Sequence, residues 1–177
     1  MTRVRLLVVM GVSGAGKTTL GKTLAKDLNW LFADADDFHP PANVMKMAAG
    51  RPLDDADREP WLQTLRQYCA DVMAPPTPEN PAAAPAEGTV LACSALKRAY
   101  RETLGLDHPG AGLIFLDGPR WVLQQRLQGR ANHFMPASLL DSQLKTLERP
   151  EAEALRLDFR ESPEVLVETV KQHFSLP

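Results

Sequence analysis

Cysteine is nearly absent from this chain. Cys69 and Cys93 are the only two in 177 residues, and they stand in no metal-ligating or redox spacing. That fits a reducing, cytoplasmic setting. An excess of either charge is also missing. Twenty Lys and Arg against 22 Asp and Glu leave a formal net charge of −2. No broad field draws in nucleic acid or an anionic membrane, so any anion must be held by local groups. Long hydrophobic runs are lacking too. The unbroken apolar core near the start, Leu6 to Met10, is too short for a signal peptide and far from the roughly 20 residues of a membrane span. Four histidines and the two cysteines offer no metal cage.

What is present is an ordinary globular composition, 44% hydrophobic and 24% charged, and a length suited to one well-buried domain spanning 1–177. Apolar β-branched stretches alternate with amphipathic ones. Strands are expected at Val4–Met10, Trp30–Ala33, Thr89–Cys93, Leu113–Asp117 and Leu155–Asp158. Helices are expected at Gly16–Leu28, Pro40–Ala49, Pro60–Met73, Ala95–Leu104, Trp121–Gln128, Pro136–Leu147 and from Ser162, as cap, to Phe174. Pro60 suits a first helical turn, which places Asp54 to Glu59 ahead of that helix. Five prolines between Ala74 and Gly88 exclude a helix or central strand, so this segment reads as an exposed insertion. The alternation predicts a three-layer α/β fold with a parallel five-stranded sheet and helices on both faces. The polar clusters after strands one to four then meet at one sheet edge, where such folds bind ligands.

Between the first strand and first helix stands GVSGAGKTTL. Gly11, Val12, Ser13, Gly14, Ala15, Gly16, Lys17, Thr18 and Thr19 satisfy the P-loop pattern in the right context. The glycines permit the turn, and backbone N–H groups and the helix start cradle a polyphosphate. Lys17 reaches the β- and γ-phosphates, and the Thr18 hydroxyl ligates Mg²⁺, which arrives with ATP. No NKxD guanine-reading motif is present. A small P-loop chain of this kind reads best as a kinase of small molecules. The alternatives are another acceptor, such as shikimate or a nucleotide, and a non-catalytic ATP-binding module.

An acceptor site calls for a carboxylate that orients the attacking hydroxyl and takes its proton. DADDFHP supplies Asp36, with Asp34 second; a solvated acidic turn is the plain alternative. His39 either bonds substrate or pins the loop. Arg58, Lys97 and Arg101 are candidate anion anchors, and Lys97 and Arg101, four apart, are expected on one helix face. Arg126 and Arg130 lead into ANHFMPASLL, a segment with the character of a lid over 130–150. Lid arginines neutralise developing charge while water is excluded, and His133 orders the segment. Met45, Met47, Trp61, Leu62 and Leu65 read as packing, and Trp121 as core or interface.

These segments together, GVSGAGKTTL, DADDFHPPANVMKMAAGRPLDDADREPWL, CSALKRAYR and HFMPASLLDSQLKTLERP, resemble the small P-loop gluconokinases. The resemblance covers most of the chain outside the proline-rich insertion. It implies phosphoryl transfer from ATP to the 6-hydroxyl of D-gluconate, a mobile lid and a homodimer, with no nucleic-acid or membrane partner. Residues 34–62 correspond to its acceptor-binding segment, with Lys97 and Arg101 in a second one. Arg126 and Arg130 fall at its lid base, where adenine is also sandwiched, and His133 at its substrate side. The departure is the insertion at 74–88.

Overall fold

A computed structural model describes residues 3–75, 77, 87–129 and 137–177, with the backbone alone at 137 and 138. Five strands, β1 (Leu6–Met10), β2 (Leu31–Asp34), β3 (Thr89–Ala92), β4 (Ala111–Asp117) and β5 (Ala154–Asp158), form a parallel sheet in the order β2-β3-β1-β4-β5. All five residues of β1 are buried. It is central and covered on both faces, which is why its sequence is a continuous apolar run rather than an alternation.

Among the described residues, seven helices surround the sheet: α1 (Lys17–Leu28), α2 (Pro41–Ala48), α3 (Asp55–Met73), α4 (Arg98–Thr103), α5 (Arg120–Gln128), α6 (Ala137–Thr146) and α7 (Pro163–Phe174). Leu7 and Val9 of β1 pack with Leu20, Leu24 and Leu28 of α1 and with Leu166, Val167 and Val170 of α7. Leu6, Val8 and Met10 pack on the opposite face with Trp61, Leu62, Leu65 and Cys69 of α3. The result is the expected three-layer fold. Each fully buried leucine, such as Leu24 or Leu65, contributes about 1.5–3 kcal/mol. Among the described residues, no helix is long and apolar enough to cross a membrane.

Several local expectations are corrected. The segment Asp55 to Glu59 lies inside α3, not ahead of it. Asp54 caps the helix by accepting from the Asp57 N–H at 2.7 Å, and Asp57 Oδ2 accepts in return from the Asp54 N–H at 2.9 Å. This reciprocal pair satisfies two otherwise orphaned donors, so the start lies a turn and a half before Pro60. The loop after β2 is a short 3₁₀ turn, Ala35–Phe38. The helix expected from Ala95 begins only at Arg98, because Ala95 takes a left-handed φ of 45°. Met45 and Met47 are exposed rather than packed, and Trp121 is exposed, which removes the core half of its core-or-interface expectation. Most of the 74–88 insertion lies outside the described residues.

Candidate active site

The phosphate loop takes its shape from two glycines. Gly14 (φ 85°) and Gly16 (φ 97°) hold left-handed conformations that side chains resist. A Cβ on Gly14 would also meet Leu127 Cγ at 3.3 Å. Gly16 then delivers Lys17 and Thr18 into the first turn of α1, whose N-terminus is open to an anion. Lys17 Nζ donates to the Val12 carbonyl at 3.2 Å, which holds it over the loop. Two distant side chains fix that loop. Gln143 of α6 accepts from the Ser13 N–H at 2.8 Å and donates to Ser13 Oγ at 3.1 Å. Arg126 of α5 donates to the Gly14 and Ala15 carbonyls at 3.2 and 3.4 Å and to the Phe159 carbonyl at 2.7 Å. Its guanidinium lies 4.9 Å from the Phe159 ring centroid. Arg126 thus clamps the loop to the β5–α7 turn with most of its donors committed. Arg130 and His133 lie outside the described residues.

The ends of β1, β2 and β3 meet, as expected. The Cys93 thiol, just past β3, feels the charges of Lys17, Asp36 and Asp34, while burial pushes it up to about 12. Asp34 is occupied: its Oδ1 accepts from the Asp36 N–H at 3.0 Å and caps the 3₁₀ turn. That leaves Asp36 as the carboxylate available to a ligand. Asp36 presents an exposed edge to solvent, yet its carboxyl is shifted upward. Lost hydration is the largest cause, and Asp34 adds to it; His39 and Lys17 pull the other way. A carboxylate raised in this manner is the better proton acceptor.

Packing behind Asp36 is dense. Trp61 Nε1 donates to the Ala35 carbonyl at 2.7 Å, and its ring stacks on His39 with centroids 4.5 Å apart. His39 Nδ1 lies 3.2 Å from Asn43 Nδ2, which also donates to the Asp57 carbonyl at 2.9 Å. Burial holds His39 below its usual range, so the neutral ring serves as a hydrogen-bonding spacer. Lys46 pairs with Asp57, tying α2 to the start of α3. The acceptor segment is therefore one bonded unit.

The cations divide differently from the sequence expectation. Lys97 precedes α4 and turns toward α3, where Nζ lies 3.2 Å from Asp55 Oδ1. Arg58 Nη1 lies 3.7 Å from the same oxygen, and the Tyr100 hydroxyl donates to it at 2.6 Å. Bonds from Tyr100 and Lys97 hold the Asp55 carboxyl below its usual range. Arg58 and Lys97 thus converge on one carboxylate. Arg101 does not join them. It is buried and donates to the Ala95 and Leu96 carbonyls at 2.9 and 3.3 Å. It braces the strained turn that delivers Lys97. The expectation of a shared Lys97–Arg101 face fails because the helix starts after Lys97.

Asp55, Tyr100, Asn43 and Gln143 were not singled out from sequence. Asp55 carried a usable signal: the capping pattern Asp54-x-x-Asp57 places it and Arg58 on one helical turn. Among the described residues, no three His, Cys, Asp or Glu side chains group to hold a metal by themselves. Of the fourth polar cluster, Asp117, Gly118 and Pro119 line another cleft with three arginines, while Arg120 pairs with Asp141 of α6.

Comparison with known proteins bears on the fold and the family. The shikimate kinase family model matches residues 13–173. A gluconokinase of Gluconobacter oxydans (strain 621H) is 45% identical over 172 residues, covering 96% of this chain and 91% of that one. The structure of a gluconokinase from Sinorhizobium meliloti 1021 is 36% identical with a TM-score of 0.78, covering 98% of this chain and 92% of that one. A sugar kinase from Janibacter sp. HTCC2649 is 42% identical with a TM-score of 0.80, covering 98% and 95%. Similarity to gluconokinases over almost their whole length, in a chain that carries a phosphate loop on a parallel five-stranded sheet, places this chain in the gluconokinase family of P-loop kinases.

Proposed function

We propose that the protein transfers the γ-phosphoryl group of ATP to the 6-hydroxyl of D-gluconate, releasing ADP and 6-phospho-D-gluconate. The observation that carries this reading is the presence of two unlike groups at one bonded segment: a raised carboxylate, Asp36, and a cation pair made by Arg58 of that segment and Lys97, which reaches it from the start of α4. An acid with its charge at one end and its reacting hydroxyl at the other fits that polarity. Asp36 orients the 6-hydroxyl and accepts its proton as the O–P bond forms and the bond to the ADP oxygen breaks. Lys17 supports charge on the transferring group, and the loop N–H groups hold the remaining phosphates. Thr18 would hold Mg²⁺, which supplies charge neutralisation between phosphate oxygens. The exposed threonine at the open helix start suits a metal carried in on the nucleotide. Arg126, by clamping the loop, acts through position as well as charge.

We further assign residues 1–177 to one kinase domain, with 34–62 as acceptor segment and 130–150 as lid, working in the cytoplasm as a homodimer. Two buried thiols, each raised to about 12 by burial, suit a reducing compartment.

A coupled ADP-release assay with Mg·ATP tests the reaction against gluconate, shikimate, AMP and no acceptor. Release only with gluconate, matched by 6-phosphogluconate formation, is expected. Preference for shikimate or AMP would keep the kinase and reject the acceptor. In the same assay, Arg58→Ala and Lys97→Ala should each raise the gluconate KM about ten- to hundredfold, the loss of one charge-assisted contact of about 1.5–3 kcal/mol, with a smaller change in kcat. Arg101→Ala should instead lower Tm, because it removes the Arg101 bond to the Ala95 carbonyl in a buried turn, while the Leu96 carbonyl keeps the Glu148 N–H. An unchanged KM in both Arg58 and Lys97 variants would remove the anchor from this position.

A further inference from the structure

A cleft of about 460 Å³ opens at the carboxyl ends of β4 and β5. It shares no lining residue with the phosphate loop or the acceptor segment. The parallel register pairs Phe115 with Arg156 and Asp117 with Asp158. This puts Asp117, Arg156 and Asp158 on the sheet face that carries Leu113 and Phe115. Asp117 is buried, and one oxygen, Oδ2, receives both Arg149 Nη1 at 2.5 Å and Arg156 Nη2 at 2.7 Å. Arg149 arrives from the turn before β5, its guanidinium 5.8 Å from the Phe115 ring centroid. Arg160, just past β5, pairs with Asp158 through both carboxylate oxygens.

This arrangement exceeds what the fold requires. One guanidinium suffices to neutralise Asp117, yet two share the same oxygen. Three guanidiniums face two carboxylates in one concavity, a local positive surplus in a chain of net charge −2. The arginine side chains remain 57%, 72% and 54% exposed despite these bonds. Among the described residues, Arg149 bonds protein only through Nη1. Its other donors, and Nη1 of Arg156, have no protein acceptor there. Asp117 and Asp158 offset two of the three positive charges, so the surplus favours a further anion.

We propose that this cleft is a second anion site, which binds the phosphate group of a small phosphorylated molecule. A phosphate offers three oxygens to several guanidinium forks at once, whereas a carboxylate offers two. The volume lies within the range of about 300–1,000 Å³ found for small-molecule sites and leaves room for a carbon skeleton beyond the phosphate. The cleft lies at the strand ends of β4 and β5, on the opposite side of β1 from β2 and β3, which carry the acceptor segment's start.

The test is calorimetric titration of the whole protein at low salt, with the phosphate loop first filled by a non-hydrolysable ATP analogue. Inorganic phosphate, ribose 5-phosphate and malonate are the probes. One further site per chain is expected for phosphate, with ribose 5-phosphate binding at least as tightly and malonate at least tenfold more weakly. Arg149→Ala and Arg160→Ala should each weaken phosphate at least tenfold. Both variants leave Arg156 on Asp117, so the buried carboxylate keeps a partner and the fold is preserved; Tm checks this. No phosphate binding once the loop is filled would overturn the proposal, as would undiminished binding in both variants. Malonate binding as tightly as phosphate would reject the phosphate class, and failure of ribose 5-phosphate to bind would reject a phosphorylated metabolite.

Discussion

Asp36→Asn should reduce kcat by about a hundredfold to ten-thousandfold, the range for loss of a positioned proton acceptor, with ATP affinity unchanged. Asparagine keeps the size and hydrogen-bonding reach of the side chain but cannot take the proton. The variant should be no less stable than the parent. Burial and Asp34 raise the Asp36 carboxyl in the folded protein, so the native state holds this proton to higher pH than the unfolded chain does. Ionised Asp36 therefore costs stability, and the cost grows as pH rises from the ordinary 3.8 through the raised folded value. Asparagine removes that cost, so lost turnover with an equal or higher Tm is the expected signature. The same sign sets the pH profile: kcat/KM should fall on the acid side with a midpoint above 3.8. Asp34→Asn should move that limb down, because Asp34 raises Asp36. Unchanged kcat in Asp36→Asn would transfer the role to Asp34.

Lys17→Ala should lower kcat by about a hundredfold or more, about 2.7 kcal/mol or above, because it deletes a charge aimed where negative charge builds in the transition state. Lys17→Arg should not restore it, since a planar fork cannot replace a compact ammonium held by one carbonyl of the loop. A second readout separates this role from a merely structural one. Lys17 lowers the Asp36 carboxyl, so removing it should shift the acid limb of the residual activity upward. Near-normal turnover in a folded Lys17→Ala protein would dismiss the assignment, and an unmoved limb would deny the electrostatic link between the two residues.

The phosphate loop was legible because its information is local: eight residues, from Gly11 to Thr18, following a buried strand and opening a helix. The sheet was legible because strands covered on both faces are written as plain apolar runs. Other parts were hidden for distinct physical reasons. At α3, two start signals competed, and the reciprocal Asp54–Asp57 bonds prevailed over Pro60 at a first turn. At α4, spacing alone implied a Lys97–Arg101 pair, but the left-handed Ala95 delays the helix and turns the two side chains apart. The Asp55–Lys97–Tyr100 meeting spans 42 and 45 residues, so no local pattern announces it. The Asp117 cluster depends on strand register, which only the folded sheet specifies.

The indole bond of Trp61 to Ala35 has a metrological consequence. The carboxylate turn and the cation pair are both fastened to α3, one through its indole and the other through its first turn. Neither end can slide without the other, so the spacing between them works as a fixed gauge. On the proposed reaction, selectivity among sugar acids becomes a matter of carbon count. An acid one carbon shorter that seats its carboxylate leaves its terminal hydroxyl about 1 Å or more short of Asp36, a displacement that costs about a hundredfold in rate. The protein would then discriminate by length before any hydroxyl along the chain is inspected.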